Sequence, residues 1–151
     1  EEFYAIKIIL EGFAARMAAE KLSDKDIERL ETVNTKLQKL ADDGDVKNFF
    51  KVHDEFHEIF IKAAGNDKLL ELINQLVMKF KRLRLASLSR PGRMDVSVKE
   101  HQQLIEAFKR HDGHGADSLV RHTATIGAEA LIASMPEELG LVKDLESMLR
   151  Q

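Results

Sequence analysis

Six histidines stand in this chain, and four of them fall inside helical patterns. His53 and His57 are four apart, so on a helix they share one face, a turn apart. The same face carries Phe49, Phe50, Phe56 and Phe60 and therefore points inward. Imidazoles at i and i+4 can hold one transition metal, with Zn–N distances of about 2.0–2.1 Å. His101 lies among Val98, Leu104, Ile105 and Phe108, and His122 lies near Leu119, Val120 and Ile126. Histidines converging from three helices would form the kind of site that helical bundles build in their cores. The other reading of the same residues is a set of core histidines with no ligand. The run His53-Asp54-Glu55-Phe56-His57 is not H-E-x-x-H, so a metalloprotease base is not in its expected place. His111 and His114 belong to a turn and are expected in solvent. A second feature is cationic: Lys79, Lys81, Arg82, Arg84, Arg90 and Arg93 come with no acid between them. One reading is a solvated helix end whose cations complement the dipole. The other sends one or two of them inward to an anion, and Arg84, at i+4 from Phe80 and i+7 from Val77, is best placed.

The elements that must position these groups are all helical. Phe3, Ile6, Leu10, Phe13 and Met17 recur at helical spacing, thickened by Ala14, Ala15, Ala18 and Ala19, and predict a helix over 2–21. Ser23 is the N-cap of a second helix reaching about 41, with Asp24 and Asp26 complementing its dipole. After the turn Asp42-Asp43-Gly44-Asp45 comes the histidine-bearing third helix, which stops at Gly65, with Asn66 capping the next. A fourth helix is predicted over 67–89, broken by Pro91-Gly92. A fifth spans about 95–111, and a sixth about 116–134 after the turn Asp112-Gly113-His114-Gly115. A C-terminal segment to about 149 carries Leu141, Val142, Leu145 and Met148 on one side. The expected architecture is an all-α antiparallel bundle of six to seven helices. Gly12 and Gly127 sit inside helices, where close packing explains them better than space for a ligand.

Composition narrows the function. The chain has 151 residues and a formal charge of −3, so the whole has no electrostatic reason to bind nucleic acid. It has no cysteine, which removes disulfides, thiolate metal sites and cysteine nucleophiles together. No apolar run approaches the ~20 residues of a membrane span.

The residues Asp54-Glu55-Phe56-His57, Ala63-Ala64-Gly65-Asn66, and Glu100-His101 followed by Ala107 and Asp112 resemble the FCD domain. This is the effector-binding C-terminal domain of FadR-subfamily GntR transcription regulators. Leu10-Glu11 and Ala15 through Ala19 are similar to that domain's first helix, and the resemblance covers about 3–133. It implies an all-α bundle, a central metal, a small carboxylate effector and a homodimer, and the lack of cysteine fits the cytoplasmic setting expected here. It also implies a winged-helix DNA-binding domain ahead of residue 1, in agreement with a chain that starts without Met. On this basis 1–134 is the FCD-like bundle, 135–151 a C-terminal helical segment, and DNA is contacted only through the preceding domain. The family's metal ligands are an Asp four residues before the FH histidine, that histidine, the EH histidine and a histidine on the next helix. Carried over, they are His53 in place of the Asp, His57, His101 and His122, with Asp54 as a substitute ligand. His122 falls one residue short of the family's interval. Lys7 stands where the family often has an arginine, and with Arg84 it is the expected grip on the effector. Nitrogen ligands favour zinc, with nickel next, over Mg²⁺ or Ca²⁺.

The expected function is thus an effector- and metal-binding regulatory domain, not an enzyme. The rivals are a metal-dependent helical-bundle hydrolase or lyase, and a structural dimerisation module with core histidines.

Overall fold

The computed structural model describes residues 2–132, and the expected C-terminal segment over 135–151 lies outside them. Seven helices and no strand occur among the described residues. They are α1 (Glu2–Lys21), α2 (Asp24–Asp42), α3 (Val46–Ala63), α4 (Asp67–Lys79), α5 (Lys81–Leu88), α6 (Arg93–Lys109) and α7 (Gly113–Ile132). The starts of α2, α3 and α4 follow from local chemistry. Ser23 and Asp26 form a capping box, Asp45 accepts from the Asn48 amide, and Asn66 accepts from the Leu69 amide. Each satisfies a backbone donor that the first helical turn leaves unpaired. Gly65, at φ +68°, supplies the left-handed residue that ends α3.

Two boundaries differ from the sequence expectation. The single helix expected over 67–89 is two, interrupted at Phe80 with φ −101° and ψ 10°. The interruption changes the packing partner: α4 lies on α1 and α3, whereas α5 turns onto α7 and α3. Phe80 marks the corner, its ring edge-on to Tyr4 at 5.0 Å between centroids. Periodicity counts apolar residues and does not register such a change of neighbour. The last helix starts at Gly113 rather than near 116, because the Asp112 carboxylate accepts from the Gly115 amide and caps the turn. His111 just before it has φ 54°, and its Nδ1 lies 2.9 Å from the Ala19 carbonyl oxygen, tying this corner to the end of α1.

The core is aromatic and aliphatic, with Phe49, Phe56, Phe60, Phe108, Leu30, Leu37, Ile73 and Ile105 fully buried. Helix α1 is arranged differently from its apolar spacing. Its alanines at 14, 15, 18 and 19 are buried, while Phe3, Ile6 and Phe13 are exposed. Small residues let α1 lie close to α7, and Gly12 is part of that approach. A Cβ there would meet the side chains of Asp117 and Arg121, which pair with each other. Gly127 differs: a Cβ would make only ordinary contacts with Ser87 and Arg93, at 3.7 and 3.9 Å. Close packing accounts for Gly12 and not for Gly127.

Candidate metal and effector site

Helix α3 presents His53 and His57 one turn apart on its inward side, and α6 brings His101 across to meet them. The three imidazoles form one group, with a ring nitrogen from each within 4.8 Å of the others. Ring centroids lie 4.6 Å apart for His53 and His57, 4.9 Å for His53 and His101, and 5.4 Å for His57 and His101. Aromatic walls hold them: Phe56 stacks on His101 at 4.0 Å and 8°, and Phe60 lies 5.3 Å from His57. His101 is 3 % exposed, and His53 and His57 are half-buried. Burial is the main cause that holds all three pKa values well below the usual histidine value. Neighbouring imidazoles add to it at His53 and His101, and nearby cations at all three. At neutral pH the rings are therefore uncharged, the form that ligates a metal.

His122 does not join them. It is exposed on α7, whose buried positions are Ala116, Val120 and Ala128. At 100° per residue, His122 lies about 200° round the helix from Val120. The one-residue shortfall is not absorbed by a bulge: α7 runs unbroken through it, and the next position, Thr123, is the half-buried one. Asp54 is also outside the group. Its carboxylate accepts from Arg84 Nη2 at 2.5 Å and is 42 % exposed.

The two expected effector-binding cations both point inward. Lys7 is buried and pairs with buried Glu11 at 2.8 Å. Arg84 reaches Asp54 and also lies 3.2 Å from His53 Nδ1. The sequence reading placed Arg93 in the cationic stretch but did not single it out; it pairs with Glu100 at 2.9 Å and bears on His53 and His101 electrostatically. Its signal was legible: Arg93 precedes Glu100 by seven residues, two turns on one helix face. Tyr4 was also missed. Its hydroxyl donates to the Ala124 carbonyl at 3.2 Å, and burial pushes its pKa up to about 12. A cavity of about 220 Å³ opens beside His57, the one histidine of the group that lines it, with Glu11, Asp54, Ile73, Asn74 and Arg84 among its other walls. That is below the ~300–1,000 Å³ of pockets for drug-sized ligands and suits a small metabolite.

The sequence model of the FCD domain matches residues 2–125. The chain belongs to the FCD domain family. A probable D-xylose utilization operon transcriptional repressor from Paenarthrobacter nicotinovorans is 27 % identical over 121 residues. That alignment covers 80 % of this chain and 53 % of the repressor, so the chain spans about half the length of this curated relative. E. coli McbR/YncC has the same fold, with a TM-score of 0.81 at 22 % identity over 89 % of this chain and 68 % of that one. The curated relative that shares this domain is named as a transcriptional repressor, not as an enzyme.

The residues of this FCD domain fit a transition metal. Three neutral imidazoles share one locus, and the Nδ1 atoms of His57 and His101 are buried without a hydrogen-bond partner. A buried polar atom left unpaired costs about 1–3 kcal/mol, and a metal at the locus would give such nitrogens a partner.

Proposed function

We propose that this FCD domain is the sensory half of a transcription regulator, holding a late transition metal at His53, His57 and His101 and binding a small carboxylate beside it. The observation that carries the reading is the convergence of three uncharged imidazoles next to a small cavity lined by Arg84. His53, His57 and His101 would hold the metal through nitrogen, and when bound it would supply a Lewis-acid anchor for a carboxylate or hydroxyl group. Zinc is the first expectation and nickel the second.

The chain's own groups do the rest. Arg84 offers a planar fork that matches a carboxylate, and Lys7 adds a point charge without that geometry. The three cations that bear on the imidazoles are each already paired, Lys7 with Glu11, Arg84 with Asp54 and Arg93 with Glu100. A bound acid would therefore exchange partners with one of these carboxylates rather than meet a bare charge. Effector binding would shift the population of bundle conformations and so the placement of an attached winged-helix domain, through which DNA is read.

A homodimer belongs to the same proposal. Phe3, Ile6, Ile9 and Phe13 stand exposed along α1, with Leu72 and Met78 exposed on neighbouring α4. An apolar strip of this kind marks an association surface, and a two-fold pair suits the reading of two DNA half-sites. No helix among the described residues is long and apolar enough to cross a membrane. A cytoplasmic setting is part of the proposal.

The test is metal content after dialysis, by elemental analysis, in wild type and a His57→Ala/His101→Ala double variant. About one metal per chain in the first and none in the second is expected. Equal content would leave core histidines as the better account.

A further inference from the structure

Arg84 Nη2 lies 3.2 Å from His53 Nδ1 while the same nitrogen donates to Asp54 Oδ1 at 2.5 Å. A guanidinium has five N–H donors and no acceptor. His53 Nδ1 must therefore be the acceptor, and the proton of the neutral ring sits on Nε2. The lone pair that His53 can offer a metal is then the one Arg84 already occupies. The other tautomer frees Nε2, but it turns an Nδ1–H against the N–H of Arg84. Coordination by His53 and the Arg84 contact exclude each other in either tautomer. His57 and His101 face no such obstacle, since their Nδ1 atoms have no partner.

We propose that Arg84 stands in for the metal at His53 in the metal-free domain, so that loading the site releases its guanidinium toward the cavity. Asp54 keeps hold of the released side chain, which lines the cavity where a carboxylate would bind. Metal and carboxylate are then coupled through one side chain: each draws on a state in which Arg84 has left His53. By linkage each strengthens the binding of the other. This inference rests on the metal reading above and adds to it an order of assembly.

Two measurements test it. The first is Zn²⁺ affinity, by competition with a chromophoric chelator, for the wild type, Arg84→Met, His53→Ala and the double variant. Met keeps the bulk of the side chain and cannot donate a hydrogen bond. With His53 present, Arg84→Met should tighten zinc binding about tenfold, the worth of a charge-assisted hydrogen bond. In the His53→Ala background the gain should stay under about twofold, since the contact is absent there. Equal gains in both backgrounds would mean that Arg84 acts only as a nearby charge and would overturn the inference, leaving the metal site standing. Failure of all four proteins to bind zinc would take down the metal reading and the inference together. The second measurement needs no metal or variant. Nitrogen-15 imidazole spectra of the metal-free wild type should show His53 protonated on Nε2, and a proton on Nδ1 would overturn the inference.

Discussion

At His101 a titratable ring is packed like a phenylalanine. It stacks on Phe56, is 3 % exposed, and has an Nδ1 with no partner. With His53 and His57 it stays neutral in the folded chain, burial being the main cause. In the unfolded chain each takes a proton once pH falls below about 6.5. The unfolded state then binds more protons, so stability is lost as pH drops below that value, by up to about 1.4 kcal/mol per pH unit for each histidine. Thermal unfolding of the metal-free domain should show the midpoint falling from pH 7 to pH 5. His101→Leu should reduce the fall by removing one of the three rings, and an unchanged pH profile would contradict its burial as a neutral group. His122→Ala should leave metal content at the wild-type level, because that ring is exposed and apart from the group. Loss of metal in that variant would mean α7 rotates on loading.

The helices owe their ends to single side chains. The Ser23 hydroxyl accepts from the Asp26 amide at 3.1 Å, and the Asp26 carboxylate accepts from the Ser23 amide at 3.2 Å. Ser23→Ala should cost about 1 kcal/mol, read as a lower denaturant midpoint at unchanged slope. The break at Phe80 matters more for the site. Past the break α5 packs on α7 and α3, and from there Arg84 meets His53 and Asp54. The turn at Pro91-Gly92 then sends the chain back, Gly92 taking φ 75° after proline and the Arg93 amide closing on the Arg90 carbonyl at 3.1 Å. That reversal places Arg93 beside Glu100 and near the imidazoles.

The whole molecule reports on the site through mass action. Zinc at 100 times its dissociation constant should stabilise the domain by about 2.7 kcal/mol if it binds only the folded state, and raise the unfolding midpoint by several degrees. No shift on adding zinc at pH 7.5 would contradict a site formed by folding. The exposed strip on α1 makes a second prediction at this scale. Light scattering should find a dimer at about tens of micromolar, and Ile6→Glu should shift it to monomer without loss of helical signal, because Ile6 is 46 % exposed. A wild-type monomer would remove the strip as an interface.

Helix content, the caps at Ser23 and Asn66, the aromatic face of α3 and the pairing of His53 with His57 were all legible in the sequence. Each depends on residues within about a turn of one another, where backbone geometry alone sets the neighbours. The inward course of Arg84 was legible for the same reason, from its spacing to Val77 and Phe80. Three outcomes needed the tertiary structure. His122 and Thr123 differ by only 100° of helix rotation, and which of them turns inward depends on how α7 packs against α1, α5 and α6. Phe3, Ile6 and Phe13 of the α1 stripe lie outside and its alanines inside, because close approach to α7 rewards small residues there. The Arg84–His53 contact joins positions 31 residues apart on two helices, and only packing brought a guanidinium to the lone pair a metal would use.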